Sequence, residues 1–445
     1  MSSANQIVAE IFNAALKAVD PYESVKLHTD KIRQFYQDNN FKKLIVVGFG
    51  KAASAMAKAI EDELPDLIDT GIVVTKYGHA ENTEFGVKSS ELGPKKLKKI
   101  KVIEAGHPVP DENGLNATEE IIKLLKNADE NTLVVCLISG GGSALLAAPC
   151  EDISLDEKQK ITQLLLKAGA DINELNTVRK HISNVKGGRL AEIAYPARII
   201  SLILSDVIGD KLDVIASGPT SPDKTTYNDA LQVLKKYALM DKVPRSIIEI
   251  LNKGVNNIIP ETPKDDNPAF EKVENIIIGS SRKTLEAAKT KAESFGLQTE
   301  VISSEITGEA REVGRWLAIK TRDALSVRRD EKICLISGGE TTVTVKGNGL
   351  GGRNMELALS FAIEIDGIDG ITLLSAGTDG TDGPTDAAGA IVDGQTVARA
   401  KAIGLDPGTY LENNDSYNFF KQINELFITG PTGTNVMDIQ IMVIG

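Results

Sequence analysis

The chain has 445 residues, more than the ~250–300 that a single hydrophobic core usually supports, so two domains are expected. Apolar residues make up 42% and charged residues 25%, an ordinary globular balance, but aromatics are only 4%, so Ile, Leu, Val and Ala must fill the cores. The formal charge of −12 argues against a nucleic-acid partner, whose phosphates need a concentrated basic footprint, but not against a small anion held by a few oriented cations.

The apolar runs fall far short of the ~20 residues of a membrane span. The N-terminal Met1-Ser2-Ser3-Ala4-Asn5-Gln6 has neither the basic nor the apolar segment of a secretion signal. The three cysteines, Cys136, Cys150 and Cys334, are scattered and outside any metal-ligand spacing. Cys136 and Cys334 lie in apolar runs and read as small core residues. A cytoplasmic protein is expected.

In chain order, residues 4–19 place Ile7, Val8, Ile11, Phe12, Ala15, Leu16 and Val19 at helical spacing, closed by Asp20-Pro21. The run 44–47 is a continuous apolar strand that enters Gly48-Phe49-Gly50 and then an Ala-rich helix. Further strands are expected at 72–75, 102–104, 133–139 and 199–204. They are apolar on both faces and alternate with amphipathic helices, the pattern of a parallel sheet covered on both sides. Residues 227–254 read as two helices. Over 256–273 the apolar period disappears among Pro260, Pro263, Asp265-Asp266 and Asn267-Pro268, which predicts a linker. The alternation resumes with a strand at 276–278, a helix over 280–295, a strand at 299–302, a helix over 308–324 and a strand at 333–337. Later strands are expected at 341–346, 371–375, 426–428 and 438–443. The expected division is an N-terminal α/β domain over 1–255, a linker over 256–273 and a C-terminal α/β domain over 274–445. Cys136-Leu137-Ile138-Ser139-Gly140-Gly141 recurs as Cys334-Leu335-Ile336-Ser337-Gly338-Gly339. Each copy ends a strand in glycines, where open α/β sheets bind ligands, so an active site in a cleft between the domains is expected.

Five motifs can carry chemistry. Gly48-Phe49-Gly50-Lys51-Ala52-Ala53 fits the G-x-G-x-x-G/A loop by which a helix N-terminus approaches phosphate. The next strand ends Val73-Val74-Thr75-Lys76-Tyr77, without the acid that would hold a ribose, and Ala52 replaces the Ser or Thr of a P-loop. Lys51 opposes the helix dipole unless an anion lies beside it, so it is a candidate anion contact rather than a solvated lysine. Ser139-Gly140-Gly141-Gly142-Ser143 is an anion cradle of amides flanked by hydroxyls, or else a plain strand–helix turn. Gly338-Gly339-Glu340 runs on through Gly347, Gly349, Gly351 and Gly352 to Arg353 and reads as a second phosphate loop. There Arg353 forks onto a phosphoryl or carboxylate group, and Glu340 orients it, holds a metal-bound water or is paired structurally. Asp379, Asp382 and Asp386 offer Mg²⁺ ligands or a general base, although Asp also serves turns for its own sake; one of them is expected to be chemically active. Asp206, directly after the strand at 199–204, stands where a metal or nucleotide ligand would, or caps a helix. Of the four histidines, His107 and His181 are site candidates. Arg179, Lys180, Lys186 and Arg189 cluster around Gly187-Gly188 as a phosphate site or a solvated face.

In their order, GFGKAA (48–53), AGHPVPDENG (105–114), CLISGGGSALL (136–146), LNTVRKHISNVKGGRLA (175–191), SDVIGD (205–210), ASGPTSPD (216–223), SGGETTVTVKGNGLGGRNMELAL (337–359), SAGTDGTDGPTDAAGAIVDG (375–394) and TGPTGTNVMDI (429–439) closely resemble the class II glycerate kinases, whose C-terminal part is the MOFRL domain. The resemblance implies a Rossmann-like N-terminal domain with a parallel sheet and a C-terminal mixed-sheet MOFRL-type domain. It also implies ATP-dependent phosphorylation of D-glycerate with a divalent cation, giving 2-phosphoglycerate in many members, with Lys51 and Arg353 at the substrate. The expected catalytic groups are then Lys51, Arg353, Asp379 and Asp386, and the expected substrate contacts Lys51, Arg353, Ser139 and His107. Gly140, Gly141, Gly142, Ser143, Gly338, Gly339 and Glu340 are expected at the nucleotide, and Asp206 and Asp386 at Mg²⁺. ATP and glycerate are the expected partners, with no nucleic acid and no membrane, and a homodimer on family grounds alone. The alternatives are transfer to the 3-hydroxyl, an NAD(P)H-dependent hydroxypyruvate reductase and a non-catalytic sugar-acid sensor.

Overall fold

A computed structural model of the chain describes residues 3–80, 97–327 and 331–445; Met1 and Ser2 of the N-terminal stretch lie outside the described residues. The elements in chain order are α1 (Ser3–Lys17), α2 (Pro21–Asp38), β1 (Lys43–Phe49), α3 (Ala53–Glu63), β2 (Ile68–Lys76), β3 (Ile100–Ala105), α4 (Glu112–Lys126), β4 (Thr132–Ile138), α5 (Gly142–Leu145), α6 (Leu155–Lys167), α7 (Ile172–His181), α8 (Arg189–Ala194) and β5 (Arg198–Leu204). There follow α9 (Tyr227–Lys236), α10 (Arg245–Val255), β6 (Val273–Gly279), α11 (Ser281–Ser294), β7 (Gln298–Ile306), α12 (Ala310–Val327), β8 (Ile333–Gly339) and α13 (Arg353–Glu364). The chain closes with β9 (Ile371–Gly377), β10 (Gly389–Asp393), α14 (Thr396–Ala402), α15 (Pro407–Glu412), α16 (Ser416–Ile423), β11 (Leu426–Phe427) and β12 (Asp438–Ile444). No helix among the described residues is long and apolar enough to cross a membrane.

One compact unit holds the described residues between 21 and 278. Its sheet has the order β3-β2-β1-β4-β5-β6, with β1 to β5 paired in parallel. The apolar run of β1 serves two cores at once, because successive side chains point to opposite faces. Ile45 and Val47 pack with Ile121 and Leu125 of α4 and Leu190 of α8. Leu44 and Val46 pack with Ile32 of α2 and Met56 and Ile60 of α3 on the other face. The strand order reverses between β1 and β4, so their carboxyl ends form the topological switch point at which such sheets bind ligands. A further layer, α6, α7, α9 and α10, closes on its own core of Ile161, Leu165, Val178, Tyr227, Leu234 and Leu251.

The described residues of 3–20 and 279–445 form the other unit. Its sheet, β11-β10-β9-β12-β8-β7, is mixed: β7 and β8 are parallel and the other neighbours antiparallel. All seven residues of β12 are buried, and its polar Gln440 accepts a hydrogen bond from Ser337 Oγ at 2.9 Å. Helix α1 belongs to this unit, not to the N-terminal half in which it was expected. Val8, Ile11, Phe12, Ala15 and Leu16 are buried against Leu285 and Ala288 of α11 and Ile439, Ile441 and Val443 of β12. Burying the larger of these side chains stabilises the unit by about 1.5–3 kcal/mol each. Complementarity of apolar faces, not proximity in the chain, decides where α1 docks.

Three other expectations change. Residues 256–273 are not a free linker but lie within the first unit: Asp223 N donates to Pro263 O at 3.0 Å and Thr262 Oγ1 to Asp223 Oδ2 at 3.0 Å. Hydrogen bonds hold this segment, so an apolar period was never needed. Residues 341–346 form no strand; Thr342 makes a single bridge to Glu309, whose carboxylate takes the Thr344 amide and hydroxyl. Strand β10 was unforeseen because its five residues begin inside glycine-rich turn chemistry.

Helices α12 and α13 cross where Gly314 has no side chain, and a Cβ there would collide with the carbonyl oxygen of Leu357. Gly314→Ala should therefore destabilise this unit by about 1–3 kcal/mol, read as a lower urea midpoint. Gly408→Ala, whose new methyl would meet nothing closer than 3.7 Å, should change stability by no more than about 1 kcal/mol, if anything upward.

Candidate functional site

The site of the first unit starts from two loops laced together. Gly50 follows β1 with φ +133°, and a Cβ there would collide with Ser139. This close approach lets Lys51 N donate to Gly140 O at 2.9 Å, Ala52 N to Ser139 Oγ at 3.1 Å and Ser139 N to Phe49 O at 3.2 Å. Ser139, expected at the substrate, is instead buried, and its hydroxyl holds the start of α3. Thr75 Oγ1 donates to Lys51 O at 3.1 Å, and His79 Nδ1 lies 3.2 Å from the same oxygen. Four partners thus fix the backbone around Lys51. Gly142 N is used within the turn, whereas the amides of Gly140 and Gly141 have no acceptor among the described residues.

His107 lies against Gly141: a Cβ on that glycine would stand 2.8 Å from the imidazole Cδ2 and 3.4 Å from Lys51 Cγ. Burial, then the nearby charges of Lys51 and Lys76, push the His107 imidazole down to about 4. It is a neutral hydrogen-bonding group at pH 7. Asp206, on the loop after β5, packs on Gly140, where a Cβ would lie 2.6 Å from its Oδ2.

Beside these loops is a cavity of about 400 Å³, lined by the 107–110 segment, Gly141 to Ala144, one face each of α6 and α7, Lys186, Asp206 and the 214–217 turn. Lys186 is fully buried, and its Nζ donates to Ser143 O at 2.8 Å and Ser143 Oγ at 3.1 Å. Ser143 Oγ also meets Ser217 Oγ at 2.8 Å, and Ser217 Oγ donates to Asn176 Oδ1 at 3.0 Å. The basic run of α7 divides. Arg179 faces the cavity. Lys180 pairs with buried Asp223 at 3.2 Å, and His181 with Glu261 at 3.0 Å, so His181 is a core group rather than a site residue. Arg189 turns to Tyr227 OH at 2.9 Å. Lys158 of α6, also on the cavity wall, was missed. The signal existed: Leu155, Lys158, Ile161 and Leu165 share the buried stripe of that helix, and a lysine in such a stripe is unusual.

In the other unit Arg353 opens α13. Its Nε and Nη2 grip Asp438 at 2.6 and 2.9 Å and its Nη1 holds Glu340 at 2.7 Å. The fork is therefore closed on a buried carboxylate, and one third of the side chain remains accessible. The segment 346–350, read as a phosphate loop, spends its amides internally. Lys346 N and Gly347 N go to Asn414 Oδ1, Asn348 N to Asn413 Oδ1 and Leu350 N to Asp415 Oδ1. Gly338 and Gly339 are buried in β8, and Glu340 N donates to Ile306 O at 2.9 Å. The three aspartates separate by role. Asp382 is buried and accepts the amides of Asn354 and Met355 at 3.1 and 2.8 Å, capping α13. Asp379 takes the Thr381 amide at 3.2 Å, and exposed Asp386 takes Tyr417 OH at 2.8 Å. Among the described residues no three His, Cys, Asp or Glu side chains gather as a ready metal cage.

Because folding lowers the His107 pKa from 6.5 to about 4, protonation opposes the fold, and its contribution to stability falls as pH drops from 6.5 toward 4. Imidazole NMR, assigned with His107→Asn, should give a midpoint near 4 for His107, and Lys51→Met should raise it. A midpoint near 6.5 in the unsubstituted protein would contradict the burial described.

Two family models match the chain, "Domain of unknown function (DUF4147)" over residues 7–252 and "MOFRL family" over residues 333–438. A D-glycerate 2-kinase of Thermotoga maritima is 48% identical over 99% of both chains. A solved glycerate kinase structure from the same organism superposes with a TM-score of 0.89 at 46% identity, covering 100% of each chain. A relative from Agrobacterium vitis that carries a hydroxypyruvate reductase name is 40% identical over 100% of this chain and 95% of its own. With both models matched in order and relatives of this identity aligned end to end, the chain belongs to the class II glycerate kinases of the MOFRL family.

Proposed function

We propose that this enzyme transfers the γ-phosphoryl group of ATP to the 2-hydroxyl of D-glycerate, giving 2-phosphoglycerate and ADP. The observation that carries the reading is the end-to-end identity of 48% with a D-glycerate 2-kinase. The geometry around Lys51 supports it. Phosphoryl transfer needs positioning and charge neutralisation more than covalent chemistry. A lysine whose backbone is held by Gly140, Thr75 and His79, beside a neutral imidazole and two amides with no acceptor among the described residues, suits that task.

In this proposal Lys51 and Arg353 neutralise charge on the moving phosphoryl group or the glycerate carboxylate, and His107 hydrogen-bonds substrate as a neutral group. Asp438 and Glu340 set the orientation of Arg353. The attacking hydroxyl is oriented by Asp379 or Asp386. Mg²⁺ is held by few protein ligands in kinase sites and completes its shell with phosphate oxygens and water. Asp206, a single carboxylate on the cavity wall, fits that donor set; Asp386 is the other proposed ligand. The ion would supply charge neutralisation on the phosphates. The cytoplasm is the proposed compartment, consistent with the free thiols of Cys136, Cys150 and Cys334, and the homodimer rests on family grounds.

The second reading, a hydroxypyruvate reductase, draws on the name of the Agrobacterium vitis relative and on the Gly48–Ala53 pattern. Against it, β2 ends Thr75-Lys76 with no acid for a ribose, and Thr75 is engaged with Lys51.

³¹P NMR with ATP, Mg²⁺ and D-glycerate should show 2-phosphoglycerate growing with ADP. A 3-phosphoglycerate signal would overturn the regiochemistry, and oxidation of NAD(P)H at 340 nm with hydroxypyruvate, without phosphate transfer, would favour the reductase. Lys51→Ala and Arg353→Ala should each lower kcat more than ~10²-fold, with melting curves recorded for the latter because it orphans Asp438. Wild-type rates in both variants would remove these residues from the mechanism.

A further inference from the structure

We propose that Lys158, Arg179 and Lys186 form the binding site for the polyphosphate of the nucleotide, with the base lying on the apolar mouth of the same cavity. The inference rests on the kinase reading and deepens it: of the basic cluster around Gly187-Gly188 it keeps Arg179 and Lys186, adds Lys158, and assigns the nucleotide to these three.

Uncompensated charge is the ground for this assignment. Taking a cation out of water is costly unless a counter-charge meets it inside. The fold obeys this rule close by: Lys180, buried to 3% exposure, has Asp223 at 3.2 Å. Its helix neighbour Arg179 and the buried Lys158 and Lys186 do not follow it. Among the described residues no carboxylate comes within ion-pair distance of any of the three. Burial acts on all three, and the charge of its neighbours on each lysine besides, holding Lys158 down to about 8 and Lys186 well below its ordinary range. Asp206 is the single acid among the described lining residues; one carboxylate does not offset Arg179 and Lys158, and Lys186, whose charged form burial disfavours, adds its charge when an anion enters. The counter-charge that these groups lack among the described residues is what a bound triphosphate with its Mg²⁺ would supply.

The shape of the cavity chooses the ligand. About 400 Å³ lies within the range of roughly 300–1,000 Å³ for small-molecule sites and is far more than one glycerate or a single phosphate requires. Beside the cations the wall carries a polar chain, in which Ser217 Oγ donates to Asn176 Oδ1 and meets Ser143 Oγ, and the Asn176 side-chain amide adds donors. The rim is different: Val109, Leu166 and Ile172 line the cavity and yet are 53%, 57% and 54% exposed. Exposed apolar side chains at the mouth of a cationic pocket offer a flat planar ring the contact that water denies them.

Titration calorimetry of the full chain and of Lys158→Met and Arg179→Met, with ADP, inorganic tripolyphosphate, adenosine and D-glycerate as separate probes, tests the assignment. The expected result is at least a ~10-fold rise in Kd for ADP and tripolyphosphate, with unchanged Kd for adenosine and for D-glycerate. Lys158→Met should also raise the melting temperature of the ligand-free protein, because it removes a buried, unpaired charge; a lysine with a structural role would lower it. Wild-type affinity for both polyphosphates, or a loss confined to glycerate, overturns the proposal. If the unsubstituted protein binds tripolyphosphate through these residues but transfers no phosphate, the kinase reading fails and the polyphosphate site stands.

Discussion

The first unit is organised around the contact of two strand ends, where Gly50 gives up a side chain so that Ser139 can approach the backbone after β1. Both loops leave adjacent parallel strands, so their carbonyls and amides would compete for space if either carried a Cβ at that point. The absence of one allows Lys51 N, Ala52 N and Ser139 N to be satisfied across the gap. The rest of this site depends on that lacing. Lys51 is held at the start of α3, Gly140 and Gly141 present their amides, His107 rests on Gly141, and Asp206 rests on Gly140. A switch point between β1 and β4 is a place where helices diverge to opposite faces, and the lacing turns that gap into a shaped surface.

Charge is arranged with two different purposes in the same few helices. Lys180 pairs with Asp223, and His181 lies within reach of Asp223 and Glu261, so the four side chains join α7 to the segment after α10. Such a network breaks badly if one partner is lost, because the others remain buried. One residue along α7, Arg179 faces a cavity, with Lys158 and Lys186 near it. The helical turn of about 100° per residue separates the two roles. A run of basic residues that reads as one patch in the sequence is therefore two devices, a structural tie and an electropositive wall.

The second unit shows the complementary economy of acids. Asp438 begins a fully buried strand and is tolerated because Arg353 meets it with two donors. Asp382 is tolerated because the first amides of α13 have no partners of their own and need an acceptor. Arg353, Asp438 and Asp382 thus fix the start of one helix, and the arginine keeps an accessible edge toward Glu340. Rigid placement of this kind is what electrostatic stabilisation of a reaction requires.

The two α/β units, the double-sided burial of β1, β4 and β5, the glycine loops at strand ends and the family of the chain were all legible in the order of residues. They are properties of local period and of short contiguous motifs. Lys158 was legible in principle, as a cation inside an apolar stripe, but its meaning needed the partner helix and the cavity. Folding in three dimensions was needed to show that α1 completes the C-terminal sheet, that 256–273 packs within the first unit, and that the glycines of 346–350 serve a fixed loop. It was needed, too, to make Ser139 scaffold and to turn Arg179, rather than Lys180, toward the cavity. Each of these turns on which remote surface or counter-charge a residue meets, and burial and pairing across 39 to 415 positions of chain leave no mark in local spacing.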